Sequence, residues 1–543
     1  MLPILALAAL QLAAQPPALA EADLLVANAR IYAAARSRPV SAMAVKDGRI
    51  LALGDAALRH AGPRTRRLDL RGAPVFPSFI DSHAHMRGLG ALLESRDLRH
   101  VSSIAEIAAY VKERAAALPQ GEWITARNWD QTNWGGAFPS ARDLDEAAPR
   151  HPVFLSRVDG HAAWVNSLAL KLAGITDDTP DPPGGKIVRD SQGRATGILI
   201  DRAMALVRDK MPPPSFAQIK RQLELAAREC ARLGLAGVHD AGVSAEDLRA
   251  YRELLAEGRL PVRIYAMIGG PGPLWREYLE KGPETAPFLT VRAIKLYADG
   301  ALGSRGAALW QPYSDDKSNS GLLITPRETI EKIARQALQR GFQVCTHAIG
   351  DRANRIVLDA YAAALGGPND RRFRIEHAQV VSLPDFRLFK EFSVIPAIQA
   401  AHATSDMRWA EARLGPDRVA GAYAWRRFLS LGIPVPNGSD FPVEEPNPFL
   451  GFYASITRQD PQGRPPGGWM PDQKMTREEA LESWTIHGAY AAFEESVRGT
   501  LEPGKYADFI VLDRDILSVP SGEILKARVL MHFVDGRMVH EAK

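Results

Sequence analysis

Two histidines two residues apart, His83 and His85, end the short apolar run Pro77-Ser78-Phe79-Ile80-Asp81-Ser82. On an extended backbone, residues i and i+2 point to the same face. Both imidazoles therefore aim at one point just past the strand end, a geometry that suits a borderline-soft divalent metal such as zinc. A His-x-His pair alone also occurs as ordinary buried or surface histidines. Its weight comes from four later strand ends that finish in ligand-type residues, Lys295, His347, His377 and Asp440.

The elements that must position these side chains are strand-like runs alternating with amphipathic helices, the pattern of a parallel α/β barrel. After Phe79-Ile80, strands are predicted at 237–240, 263–268, 293–297, 343–347, 374–377, 393–398 and 433–440. That makes eight, a full TIM-like (β/α)8 barrel spanning 76–494, with helices such as 329–338 in the gaps. Barrel active sites lie at the C-terminal ends of the strands. His83 and His85 on the first strand, Lys295 on the fourth, His347 on the fifth, His377 on the sixth and Asp440 on the eighth all fall there. Neutral imidazoles and a carboxylate are what zinc needs, and randomly scattered histidines would rarely collect on these ends.

The interval from about 88 to 215 is too long for one barrel helix and reads as an insertion after the first strand. It carries Trp123, Trp129, Trp134 and Trp164 and the polar cluster Asn128-Trp129-Asp130-Gln131. Two readings stand side by side: a subdomain with its own aromatic core, or a lid lending apolar walls to the pocket. Residues 21–75 and 495–543 share a texture of short strands with polar punctuation, including the hairpin turn Lys46-Asp47-Gly48. Neither piece has enough core to fold alone, so the two chain ends are expected to form one small β-sandwich domain.

At 543 residues, 46% hydrophobic and 24% charged, the chain can bury a large core. The net charge of +4 is small for this length, and no basic run interleaves with aromatics, which argues against a nucleic-acid partner. Leu2 to Ala20 is an uncharged Ala/Leu-rich run ending in the small-x-small signal Ala18-Leu19-Ala20. It reads as an export signal occupying 1–20, too short for a comfortable membrane span. The missing basic residue at its start leaves an uncleaved anchor or a misassigned start as alternatives. The mature protein is then periplasmic or secreted, with no stable membrane insertion. The two cysteines, Cys230 and Cys345, make no disulfide framework and read as buried thiols.

The phrases around these residues narrow the reading. Asp159-Gly160-His161-Ala162-Ala163-Trp164, Lys295-Leu296-Tyr297-Ala298-Asp299-Gly300, His347-Ala348-Ile349-Gly350-Asp351, Arg374-Ile375-Glu376-His377-Ala378-Gln379 and Gly438-Ser439-Asp440-Phe441-Pro442 recur along nearly the whole mature chain. With them the sequence resembles the amidohydrolase superfamily, in the branch containing N-substituted formamide deformylase and the YtcJ-like metal-dependent hydrolases. The resemblance implies His83, His85, His347, His377 and Asp440 as ligands or near-ligands of one or two divalent metals, most simply zinc. Lys295 occupies a position that many relatives carboxylate with CO₂. A free ammonium beside a dication is repelled, whereas a carbamate offers two bridging oxygens. An unmodified lysine with a single metal is the alternative.

A bound metal brings the pKa of water toward neutrality and polarises a carbonyl. Asp440, the one carboxylate among the histidines, would take the proton and hand it to the leaving amine, with His377 beside the carbonyl. The chemistry implied is hydrolysis of an amide, N-formyl or N-acyl C–N bond of a small molecule. Ester or lactone hydrolysis and deamination are alternatives on the same site, and a non-catalytic regulator of the same fold is the rival class. Trp129, His161, Asp299, Arg305 and His402 are candidates for substrate contact, with a local hydrogen bond or ion pair the alternative for each. A homo-oligomer is compatible with the sequence. If 1–20 is a signal, a reporter fused to residues 1–25 leaves the cytoplasm and begins at Glu21. Cytoplasmic retention with Met1 intact would contradict that reading.

Overall fold

Seven parallel strands follow one another around a single axis: β1 (Phe79–Ala84), β2 (Leu235–Val243), β3 (Arg263–Gly269), β4 (Leu289–Tyr297), β5 (Gln343–Ala348), β6 (Arg374–His377) and β7 (Ile395–Ala397). This is a computed structural model, and it describes residues 19–542; the run Leu2 to Ala18, read as an export signal, lies outside them. Each strand is buried along nearly its whole length, as expected where helices cover one face and the barrel interior the other. The register is continuous, with Val238 opposite Asp81, Tyr297 opposite His347 and Ala348 opposite His377. Ligand-type residues on separate strands thus arrive at the same level.

The eighth predicted strand is corrected. Residues 433–440 form no regular strand, because Pro434 and Pro436 have no N–H to donate to a ladder. The segment still closes the barrel through single main-chain bonds. Ile398 N donates to Pro436 O at 2.9 Å, Gly438 N to Ile398 O at 2.9 Å, Ser82 N to Asn437 O at 3.0 Å and Asp440 N to His83 O at 2.8 Å. The last of these sets Asp440 beside His83.

The covering helices are built as their sequences suggest. Phe216–Arg232 starts at Ser215, whose side chain accepts from Gln218 N, and buries Ile219, Leu223, Ala226, Ala227 and Cys230 on one face. Burying each large apolar side chain contributes about 1.5–3 kcal/mol.

The insertion folds as a five-stranded sheet in the order Gly185–Arg189, Ala195–Asp201, Ala162–Val165, Val153–Arg157, Ile124–Trp129. It has an aromatic core of its own, in which Trp129 and Trp164 lie with ring centres 6.0 Å apart. The chain ends form two further sheets. In one, Pro74–Pro77 pairs antiparallel with Phe509–Leu512, Phe76 opposite Ile510. Val26, Ile31, Met43, Val75, Phe509 and Phe533 from the two sheets meet in a shared core, a β-sandwich. Its hairpin turns at Asp47 and Gly48, with φ of 48° and 74°, the pair of positive values that a tight two-residue hairpin needs. Among the described residues no helix is long and apolar enough to cross a membrane.

Gly438 is where the irregular closing segment comes nearest to β1: a Cβ there would stand 2.6 Å from His83 N and 2.7 Å from Asp81 Oδ1. Gly438→Ala should cost about 1–3 kcal/mol of stability in denaturant unfolding, and should lower bound metal by pushing His83 aside. A variant with the wild-type unfolding midpoint and full metal content would show that the closure tolerates displacement.

Candidate metal centre

At the C-terminal end of the barrel, His83, His85 and Asp440 present one ligand atom each within 4.8 Å of one another, and so do His377, His402 and Asp440. Asp440 is the shared member. Its Oδ1 lies 3.6 Å from His83 Nε2 and 3.3 Å from His85 Nε2, and its Oδ2 lies 3.9 Å from His402 Nε2. His347 joins the cluster, its ring centre 4.6 Å from that of His377. Lys295 Nζ is 3.0 Å from His83 Nε2.

Several of these imidazoles are oriented from outside. His83 Nδ1 donates to the Glu376 carboxylate, His85 Nδ1 to Ala241 O at 2.9 Å, and His377 Nδ1 to Gln399 Oε1 at 2.6 Å. On His83 and His85 the acceptor on Nδ1 fixes that proton and leaves the Nε2 lone pair toward Asp440, the arrangement found around metal-ligating histidines. On His377 it is Nδ1 that lies nearest Asp440, 3.9 Å from Oδ2. His347 is turned the other way, with Nε2 3.3 Å from Gly300 O and so Nδ1 left over. Asp440 Oδ1 and His402 Nε2 are buried without a hydrogen-bond partner among the described residues. Buried polar atoms are normally paired, and imidazole nitrogens with a carboxylate oxygen are the donors of zinc-type sites. The residues fit a divalent metal.

The backbone and the protonation states agree with that use. His377 and Asp440 have φ of 74° and 57°, values that non-glycine residues adopt rarely. Burial, reinforced by neighbouring positive charges, holds His83, His347 and His377 well below the usual histidine range, so they are neutral and able to ligate. Burial alone would raise Asp440. The neighbouring His85, His402 and Lys295 instead hold it below the usual carboxylate range. Burial also pushes Lys295 down to about 8, against the pull of Glu376 and Asp440.

The site opens into a cavity of about 890 Å³ lined by barrel residues and by the insertion. His161 lines it, with Nδ1 2.6 Å from Asp201 Oδ1 and its ring 5.1 Å from that of His347. His402 lines it too, but stands with His377 and Asp440 as a possible ligand atom rather than apart as a substrate contact. Three expected substrate contacts are corrected. Trp129 is fully buried in the insertion core, its Nε1 donating to Leu155 O at 2.8 Å. Asp299 is spent on the backbone, accepting from Ile349 N, Gly350 N and Ala308 N at 2.8–3.0 Å. Arg305 is paired with Asp315 at 3.1 Å. The insertion therefore gives the cavity a charged wall, while its tryptophans serve its own core.

A model of the amidohydrolase family, Amidohydro_3, matches residues 66–540. This chain belongs to the amidohydrolase family. Protein LONG AFTER FAR-RED 3 of Arabidopsis thaliana is 34% identical over 97% of this chain and 93% of its own. The N-substituted formamide deformylase of Arthrobacter pascens is 29% identical over 96% and 98%. Among solved structures, an uncharacterized metal-dependent hydrolase from Pyrococcus horikoshii shares 30% identity and a TM-score of 0.75, over 92% of this chain and 99% of that one. The protein is thus a hydrolase of the class acting on carbon–nitrogen bonds other than peptide bonds, in a metal-dependent family.

The amidohydrolase fold also shows residues that reading the sequence passed over. Glu376 and Arg374 are fully buried, with Arg374 Nε 2.7 Å from Glu376 Oε1 and Arg374 Nη1 2.9 Å from His239 Nδ1. Asp81 accepts from Ser439 Oγ at 2.6 Å and from His83 N at 3.1 Å, tying β1 to the closing segment. Alternation was the available signal: Arg374 and Glu376 share a face of a short strand that is buried along its whole length, where charges must pair. Replacing Gln399 with leucine keeps the volume and removes the acceptor from His377 Nδ1. Gln399→Leu should weaken metal binding about 10–100-fold in chelator competition, and unchanged affinity would place His377 outside the coordination shell.

Proposed function

We propose that this amidohydrolase cleaves an uncharged amide, N-formyl or N-acyl bond of a small molecule, with zinc held by His83, His85, His347, His377 and Asp440. The observation that carries the reading is the inward Nε2 set by outward acceptors on His83 and His85, facing an unpartnered Asp440 oxygen. A bound divalent ion supplies Lewis acidity, making water more acidic and the scissile carbonyl more electrophilic.

The chain does the rest. The Asp440 carboxylate accepts the proton of the attacking water at an oxygen that no other group occupies, and returns it to the leaving nitrogen. His161, anchored by Asp201 and raised to about 9 against the opposing effect of burial, places a cation on the insertion side of the cavity beside His347. An amine held near 8 has a useful neutral fraction at physiological pH, the form that reacts with CO₂, so Lys295 is the position for a carbamate and a second ion. Ester and lactone bonds are easier to break and fit the same machinery. A regulator of this fold would have no need for a proton-accepting Asp440. The Ala/Leu-rich start of the chain supports export, with cleavage after Ala20.

Asp440→Asn should keep the fold and much of the metal while turnover falls by roughly two to four orders of magnitude, with substrate binding far less affected. Lys295→Ala should lose metal and activity together. Wild-type turnover by Asp440→Asn on a cleaved amide would overturn the proton-shuttle assignment.

A further inference from the structure

Several arginines from the insertion and from the barrel loops line the cavity, and most of them are neutralised. Arg157 pairs with Asp130 at 3.0 Å and Asp159 at 2.6 Å, Arg87 with Asp247 at 3.1 Å, and Arg408 with Asp130 at 2.5 Å. Two are different. Arg127, on the strand Ile124–Trp129, and Arg208, the last residue of the helix Ala203–Arg208, both line the cavity, and neither forms an ion pair among the described residues. Arg127 Nε is buried with no hydrogen-bond partner, and Arg208, exposed at the edge of the cavity, reaches the Met204 sulfur at 4.0 Å and stands 5.9 Å over the Phe154 ring. Gly160 leaves Arg127 open on one side: a Cβ there would stand 3.8 Å from Arg127 Nη2, so a larger side chain would lie over the guanidinium.

A guanidinium in a recess costs free energy unless an anion meets it. Arg127 is the recessed one and Arg208 stands at the open edge; with the Asp201 carboxylate already engaged by His161, the two concentrate positive potential on the insertion side of the cavity. Burial and the charge of Arg208 both disfavour the Arg127 cation, and Asp440 is close enough to act on it in the opposite sense. Arginine stays charged in such settings, and its planar fork matches a carboxylate through two parallel N–H donors.

We propose that Arg127 and Arg208 form an anion subsite that receives a free carboxylate of the substrate, so that the bond cleaved belongs to an N-acylated amino acid or a related amido acid. The inference rests on the hydrolase reading above and narrows its substrate class. The amide carbonyl lies at the His83–Asp440 cluster while the acid group docks on the insertion. Specificity for the acid is then a property of the insertion and separable from the barrel chemistry.

The test uses matched pairs: N-formyl and N-acetyl amino acids against their carboxamides, which are nearly isosteric and uncharged. Full-length metal-loaded enzyme should prefer the acids by about tenfold or more in kcat/KM, carried by KM. In Arg127→Gln/Arg208→Gln that preference should collapse toward one, and Arg208→Lys should retain part of it. Calorimetric titration with glutarate, an inert dicarboxylate, gives a readout independent of turnover, with about tenfold weaker binding expected in the double variant. Arg208→Gln alone, at an open edge of the cavity, serves if the double variant does not fold. Equal rates on acids and carboxamides in the wild type, or an acid preference that survives in the variants, would overturn the subsite and leave the hydrolase reading standing. If the wild type cleaves no amide, the hydrolase reading falls, and the glutarate titration still decides the subsite by itself.

Discussion

A carboxylate sealed inside the barrel holds the rest of the site in place. Glu376 is fully buried, and it meets the equally buried Arg374 on one side and His83 on the other. Removing one member of such a pair leaves an uncompensated charge and costs about 3–5 kcal/mol. A hydrophobic pair could fill the same volume more cheaply, so stability alone does not explain these residues. Their use is directional: Glu376 fixes the proton on His83 Nδ1, and Arg374 fixes Glu376 while also binding Ser82 O beside the first ligand strand. A histidine ring with its tautomer and rotation set in advance needs no reorganisation when a cation arrives.

The second constraint is closure. Parallel strands β1 to β7 leave a gap that a chain segment with two prolines fills by isolated main-chain bonds. Regular pairing would impose extended φ on every residue. The irregular segment instead lets Asp440 take a φ of 57°, and Asp81 compensates locally by binding Ser439 through both its main chain and its hydroxyl. Backbone strain and the carboxylate shared by both candidate ligand groups thus coincide at one residue, held by a carboxylate on the neighbouring strand. Burial raises that Asp81 to about 7, against the pull of its hydrogen bonds, so its anchoring role does not require a permanent charge.

The insertion shows how one segment can serve stability and recognition at once. Its tryptophans turn inward: Trp129, Trp164 and Trp134 pack with Phe138 in a core separate from the barrel. Its polar residues turn toward the cavity, where His161, Arg157 and Asp201 face the metal cluster. Barrel chemistry and wall composition are therefore carried by different parts of the chain, and one can change without disturbing the other.

What the sequence determined by itself was local. Alternation and apolar runs located seven barrel strands, Lys46-Asp47-Gly48 marked the hairpin, and the predicted strand ends pointed to His83, His85, Lys295, His347, His377 and Asp440 as candidates. The textures of the two chain ends pointed to a shared domain. What only the tertiary structure decided were partners separated by hundreds of residues. Glu376 meets His83 across 293 positions and Asp81 meets Ser439 across 358. Arg305 was claimed by Asp315, Trp129 by its own core, and Arg127 was left facing the cavity without a counter-charge. Periodicity is set by each residue's own backbone geometry and its near neighbours, so it can be read along the chain. Which side chains pair is set by register, closure and competition for burial among elements that meet only when the barrel is complete.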